Sequence, residues 1–303
     1  MGSDRTSTRL GFVGLGIMGL PMARNARKAG FPLTVTNRTL SRADALKAEG
    51  ASVVKTPREV AERSDIVVTM VTNAPDVEAV TFGEDGIAQG AHDGLLVVDM
   101  SSISPVASRD MAERAAAKGF KTLDAPVSGG EIGAIEARLS IMVGGDLSDV
   151  ERARPVFEAL GKTIVHIGGH GAGQACKLAN QIAVAINNLG VSEALVFAAA
   201  MGIDLERTRQ VIAGGAGSSW AMQNYAPKML AGDFKPGFMV DHQQKDLRNV
   251  LAAADTANVS LPGTSLAHAL YNALQRDGGG REGNLAIIKV IERLSGIEAR
   301  IRS

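Results

Sequence analysis

The chain has 303 residues, 45% of them hydrophobic and 21% charged, with 32 Lys+Arg against 32 Asp+Glu. That length accommodates about two domains of roughly 100–200 residues each, and the even charge offers no basic excess for nucleic acid, so a small-molecule partner is expected. One cysteine, Cys176, excludes an internal disulfide. The five histidines lack the close pairing of a metal site; His166 and His170 are separated by Gly168 and Gly169 and are expected on a strand end and a turn.

The first eight residues are polar, without the apolar stretch of a signal peptide, and no run approaches the ~20 uninterrupted apolar residues of a membrane span. A cytoplasmic protein without membrane or nucleic-acid partners is the expectation. From there short apolar runs at 10–13, 33–36, 66–71, 95–98 and 141–143 alternate with longer stretches of helical period, the βαβ signature of a mainly parallel sheet. Gly30 closes the first predicted helix. Thr56-Pro57-Arg58-Glu59 supplies an N-cap, an N1 proline and a capping-box Glu, and Ser104-Pro105 marks another helix start.

The alternation stops near Ile167. Residues 173–201 contain one internal Gly, no Pro and mostly Ala or aliphatic side chains, which predicts a single helix extending ~40 Å at 1.5 Å per residue. Further helices are predicted at 205–213, 225–231, 243–257, 265–277 and 285–294, with no strand among them. The predicted fold is therefore α/β: a doubly wound, mainly parallel Rossmann sheet over 8–169, then an all-α domain over 170–303 serving substrate binding and oligomerisation. A helical domain this small has little material to cover both faces of such a helix, so a homodimer or homotetramer is expected.

Gly14-Leu15-Gly16-Ile17-Met18-Gly19 is a GxGxxG placed directly between the first strand and the first helix. In that setting Gly14 permits the tight turn, Gly16 lets the backbone approach a pyrophosphate, Gly19 allows close helix packing, and the helix N-terminus attracts negative charge. The second strand ends in Thr36-Asn37-Arg38-Thr39, where an Asp or Glu commonly holds a ribose 2′-OH. Without that carboxylate, and with Arg38 able to pair with a 2′-phosphate, NADP(H) is expected over NAD(H).

Along the long helix Lys177, Asn180, Gln181 and Asn188 share one face amid apolar neighbours. A partly desolvated lysine there has its pKa drawn below ~10.4 and could act as general acid or base. Ser128-Gly129-Gly130 offers consecutive backbone N–H groups and a hydroxyl, suited to a carboxylate. Cys176 is expected to turn away from Lys177 into packing. Trp220 and Met222 are read equally as pocket or core residues, His242 is given no catalytic role, and Lys245 beside Asp246 reads from residues alone as a solvated helix charge.

Four stretches in order resemble the β-hydroxyacid dehydrogenase family: Gly11-Phe-Val-Gly-Leu-Gly-Ile-Met-Gly19, Asp124-Ala-Pro-Val-Ser-Gly-Gly130, Gly171-Ala-Gly-Gln-Ala-Cys-Lys-Leu-Ala-Asn180 and Lys245-Asp246-Leu247. The resemblance implies an NAD(P)-dependent oxidoreductase with Lys177 catalytic, Asn180 its neighbour, and Ser128, Gly129 and Gly130 holding the substrate carboxylate. It also implies that Ser102 and Lys245 lie at the nicotinamide end and that Val71 and Thr72 pass beside the cofactor. Two departures stand out: Arg138 where many relatives have glycine, and Asn37-Arg38 where NAD-using relatives carry an acid.

The substrate this implies is a small carboxylate-bearing aldehyde, tartronate semialdehyde (2-hydroxy-3-oxopropionate) first, with glyoxylate, succinic semialdehyde and 3-hydroxyisobutyrate following. Imine reductases of this architecture typically lack the lysine. The decarboxylating 6-phosphogluconate dehydrogenases have a larger helical domain. A catalytically silent dinucleotide-binding module is the alternative from another class, and retention of Lys177 and Asn180 speaks against it.

Overall fold

The computed structural model describes residues 5–301; residues 1–4 of the polar N-terminal stretch and the last two of the expected second domain lie outside the described residues. The chain forms two compact units, residues 1–177 and 178–303. In the first, β1 (Leu10–Val13), α1 (Gly19–Lys28), β2 (Leu33–Thr36), α2 (Asp44–Ala48), β3 (Ser52–Val53) and α3 (Pro57–Ala61) lead to β4 (Ile66–Thr69). There follow α4 (Ala74–Phe82), β5 (Leu96–Asp99), α5 (Pro105–Ala117), β6 (Lys121–Asp124), β7 (Val127–Ser128), α6 (Gly130–Ile135), β8 (Leu139–Gly144), α7 (Leu147–Leu160) and β9 (Gly161–Gly168).

The sheet order is β3-β2-β1-β4-β5-β6-β8-β7, with β9 on β8. The first six strands are parallel; β8 runs antiparallel to β6 and β7 and parallel to β9. Strands β1, β2, β4 and β5 are buried along their whole length because both faces are covered. Alternate residues serve opposite faces. Ile66, Val68, Leu96 and Val98 join a core with Met22, Ala26, Ala153 and Phe157, whereas Val67 and Val97 pack with Val60, Ala61 and Ala115.

Local signals behave as the sequence predicts. Thr56 accepts the Glu59 N–H at 3.2 Å while Glu59 accepts the Thr56 N–H at 3.0 Å, a closed capping box, and Ser104 caps α5 through the Ala107 N–H at 3.0 Å. Such caps contribute about 1 kcal/mol each. The parallel register aligns the last residues of β2, β1, β4, β5 and β6, namely Thr36, Val13, Thr69, Asp99 and Asp124. All but Val13 are polar, and all are buried. They line the carboxyl edge of the sheet, where ligands of doubly wound folds bind.

Helix α8 (Ala172–Ala200) begins in the first unit and continues into the second, so the compact units divide inside it, between Lys177 and Leu178. The second unit adds α9 (Leu205–Gly214), α10 (Trp220–Asn224), α11 (Ala226–Ala231), α12 (Val240–Thr256), α13 (Pro262–Arg276) and α14 (Ile288–Ser295). Leu195 and Val196 of α8 pack with Met222, Met229, Leu230 and Ile288, while Ala185 and Leu189 pack with Leu247, Tyr271 and Ile287. The expected helix at 225–231 starts at Ala226, preceded by the short α10, which Ser219 caps through the Met222 N–H at 3.0 Å. Residues Asn284–Ile287 form a 3-10 turn before α14. Among the described residues of this unit the one strand-like pairing is the bridge between Met239 and Gly283.

By length and composition α8 is apolar enough to cross a membrane, although polar residues interrupt its apolar runs. Of its most apolar window 44% is buried inside the protein, and Gln181, Asn188 and Ser192 are buried along it, the pattern of a core helix.

Candidate active site

The Gly-rich turn separates glycines that the fold requires from one that it does not. Gly14 has φ +97°, and a side-chain carbon there would collide with the Met70 carbonyl; one at Gly19 would collide with the Gly14 carbonyl. At Gly16 nothing lies within 4 Å of an added carbon. Packing therefore accounts for Gly14 and Gly19, whereas the bare backbone at Gly16 faces open space and fits the close approach of a pyrophosphate. Ile17 is exposed and Met18 half-buried beside it.

Asn37 accepts the Leu15 N–H at 2.9 Å and donates to the Thr39 carbonyl at 2.9 Å, so it ties the turn after β2 to the Gly-rich turn. Arg38 and Thr39 are exposed there. Arg42, to which no motif pointed, reaches the Leu15 carbonyl at 3.5 Å and adds a second guanidinium to the same corner. These groups fit a dinucleotide: open backbone for phosphate, a helix N-terminus, and two cations with no carboxylate at positions 36–39.

At the carboxyl edge of the sheet Asp99 is fully buried. Its Oδ1 accepts the Thr69 hydroxyl at 2.7 Å and the Ser101 N–H at 3.1 Å, and its Oδ2 has no hydrogen-bond partner. Burial above all pushes its carboxyl up to about 6 against those hydrogen bonds, with a smaller contribution from Asp124. The Ser101 hydroxyl accepts the Val71 N–H at 3.0 Å, which joins the segment holding Val71 and Thr72 to the one holding Ser102. Ser102 is half-buried and Thr72 exposed.

Asp124 grips the start of α8: Oδ1 accepts the Gly171 N–H at 2.8 Å and Oδ2 the Gln174 N–H at 2.9 Å. The Gln174 amide accepts the Ile103 N–H at 3.1 Å and donates to the Ser101 carbonyl at 2.8 Å. Lys177 follows one turn later, 6% exposed. Cys176 is half-buried, which corrects the expectation of a buried packing residue: the apolar sequence around it does not enclose this side of the helix. Ser128 is half-buried, and Gly129 and Gly130 take φ values of +138° and +61°, so the bend they form favours glycine. Arg138, the other departure, pairs with Glu136 on the surface.

In the second unit Asn180 donates to Gln181 at 2.9 Å, and Gln181 donates to Asp246 at 2.6 Å. Lys245 lies 3.0 Å from Asp246 and is mostly buried, which corrects its reading as a solvated helix charge. His242 packs against Phe238 with the rings tilted by 53° and their centroids 5.7 Å apart, and burial followed by Lys245 holds its imidazole below the usual range. Asn188 donates to the buried Tyr271 hydroxyl at 3.3 Å. Met222 belongs to the core, while Trp220 is exposed and packs edge-on to Tyr225 at 4.8 Å. Among the described residues no group of three or more His, Cys, Asp or Glu is placed to hold a metal.

Thr69, Asp99 and Ser101 lie outside the quoted motifs, and Gln174 and Asp246 lie within them but were given no role. For the first two the available signal was a polar residue closing each apolar run, at the same register position in successive βα units.

Residues 9–168 match the NAD binding domain of 6-phosphogluconate dehydrogenase, and residues 171–291 match the NAD-binding domain of NADP-dependent 3-hydroxyisobutyrate dehydrogenase. The 2-hydroxy-3-oxopropionate reductase of Escherichia coli K12 is 46% identical over 95% of this chain and 98% of its own. The Mycobacterium tuberculosis 3-hydroxyisobutyrate dehydrogenase, solved with L-serine, superposes with a TM-score of 0.86 at 32% identity, covering 94% of this chain and 99% of its own. Psf3, solved with NADP+ and 2-OPP, gives a TM-score of 0.86 at 25% identity over 93% and 99%. The chain belongs to the 3-hydroxyisobutyrate dehydrogenase-like family of nicotinamide-dependent oxidoreductases.

Proposed function

We propose that this protein is an NADP(H)-preferring reductase of small carboxylate-bearing aldehydes, with tartronate semialdehyde its first substrate and Lys177 its general acid. The observation that carries the reading is Lys177 itself: a buried lysine one turn beyond the anchored start of α8, followed on the same face by Asn180 and Gln181. The 46% identity to a 2-hydroxy-3-oxopropionate reductase supports the substrate, and Arg38 with Arg42 supports the 2′-phosphate.

The nicotinamide, when bound, supplies hydride to the carbonyl carbon. Lys177 as an ammonium gives its proton to the carbonyl oxygen, and in the reverse direction the neutral amine takes it back. Asn180 orients that oxygen, its amide fixed by Gln181 and Asp246 behind it. The N–H groups at residues 128–130 hold the carboxylate.

Steady-state rates with NADPH and NADH on tartronate semialdehyde, glyoxylate, succinic semialdehyde and methylmalonate semialdehyde test the reading. Preference for NADPH that falls in Arg38→Ala supports it. Binding of cofactor with turnover of none of the four favours a silent dinucleotide-binding module.

We also propose a homo-oligomer assembled on the outer face of α8. Ile186, Phe197 and Met201 leave apolar surface exposed at and just beyond this helix, Phe197 at 65% and Met201 at 61%.

A further inference from the structure

Three segments that bear on the chemistry converge on two side chains outside the assigned site. The Asp124 carboxylate holds the Gly171 and Gln174 N–H groups, and the Gln174 amide holds both the Ile103 N–H and the Ser101 carbonyl. Both side chains are buried. The backbone leaves room for the Asp124 carboxylate: a side-chain carbon on Gly144 would lie 2.5 Å from its Oδ1, and one on Gly173 would collide with the Met142 carbonyl oxygen and lie 2.8 Å from Oδ2. Asp124 also opens the loop that carries Ser128, Gly129 and Gly130.

We propose that Asp124 and Gln174 are positioning residues that set Lys177 against the 101–103 segment, acting through the first turn of α8. This rests on the reading of Lys177 as the proton donor. Gln174 and Lys177 are three residues apart on one helix, so a shift or fraying of the first turn moves the lysine directly. A carboxylate bonded to two orphan N–H groups at the start of a helix opposes that fraying.

A double-mutant cycle tests the proposal, with Gln174→Met retaining volume while removing both amide hydrogen bonds. In the wild-type background kcat is expected to fall at least 10-fold with KM for NADPH within twofold; in the Lys177→Ala background the same substitution is expected to change kcat less than twofold. Equal losses in both backgrounds would show a general structural effect and overturn the proposal. Asp124→Asn, which places an amide N–H against a backbone N–H, serves as the second variant. The titration of the Lys177 Nζ resonance, followed by 15N NMR, gives a readout independent of turnover and is expected to move in both variants. If the wild-type protein reduces none of the four aldehydes, the functional reading fails, and an unmoved Lys177 resonance would then overturn the positioning role separately. Unfolding of both variants would assign these residues to the fold instead and would also overturn it.

Discussion

Asp99 holds a proton more tightly in the folded chain than in the unfolded one, because burial raises its carboxyl from 3.8 to about 6. Between those values the native state binds a proton that the unfolded chain has released, so this residue's contribution to stability is full below about pH 4 and is lost as pH rises through about 6. Two pKa units correspond to about 3 kcal/mol, an upper figure for one buried group. Asp99→Asn cannot ionise. Urea unfolding at about pH 4.5 and about pH 7.5 should therefore show the variant gaining about 1–3 kcal/mol relative to wild type at the higher pH. A difference between the two proteins that does not change with pH would contradict the assignment.

At the scale of elements, the turn between β1 and α1 divides its glycines by what each one faces. Gly16→Ala should weaken NADPH binding at least 10-fold while leaving the melting temperature within a few degrees, since nothing beyond its chain neighbours lies within 4 Å of the added carbon. Gly19→Ala should instead destabilise the fold, since its carbon meets the Gly14 carbonyl. Thermal unfolding and cofactor titration of both variants check this, and a fold lost in Gly16→Ala would contradict it. Elements governed by local chemistry were legible in the sequence: the β1 and β2 runs, the Thr56 capping box and the Ser104 cap appear where the residues place them. Lys177, Asn180 and Gln181 were legible as a polar stripe because helical period alone puts them on one face. The clamp made by Asp124 and Gln174 was not, because residues 47 and 50 positions apart meet only once the sheet is assembled. The burial of Lys245 was hidden for a related reason, since sequence adjacency to Asp246 does not reveal how α12 packs.

In the whole molecule α8 is both the carrier of Lys177 and a helix with apolar side chains left exposed. Phe197→Glu should reduce the molar mass in solution to that of a smaller assembly, as measured by light scattering after size exclusion. An unchanged mass, or a monomeric wild-type protein, would contradict assembly on this face.

Everything proposed for the chemistry depends on Lys177 giving the proton in an NADPH-dependent reduction. The most direct measurement is kcat for tartronate semialdehyde in wild type and Lys177→Ala, with NADPH affinity measured alongside. A loss of about 10²–10⁴-fold in kcat with cofactor binding retained is the predicted result. Near-normal turnover in Lys177→Ala would contradict that role.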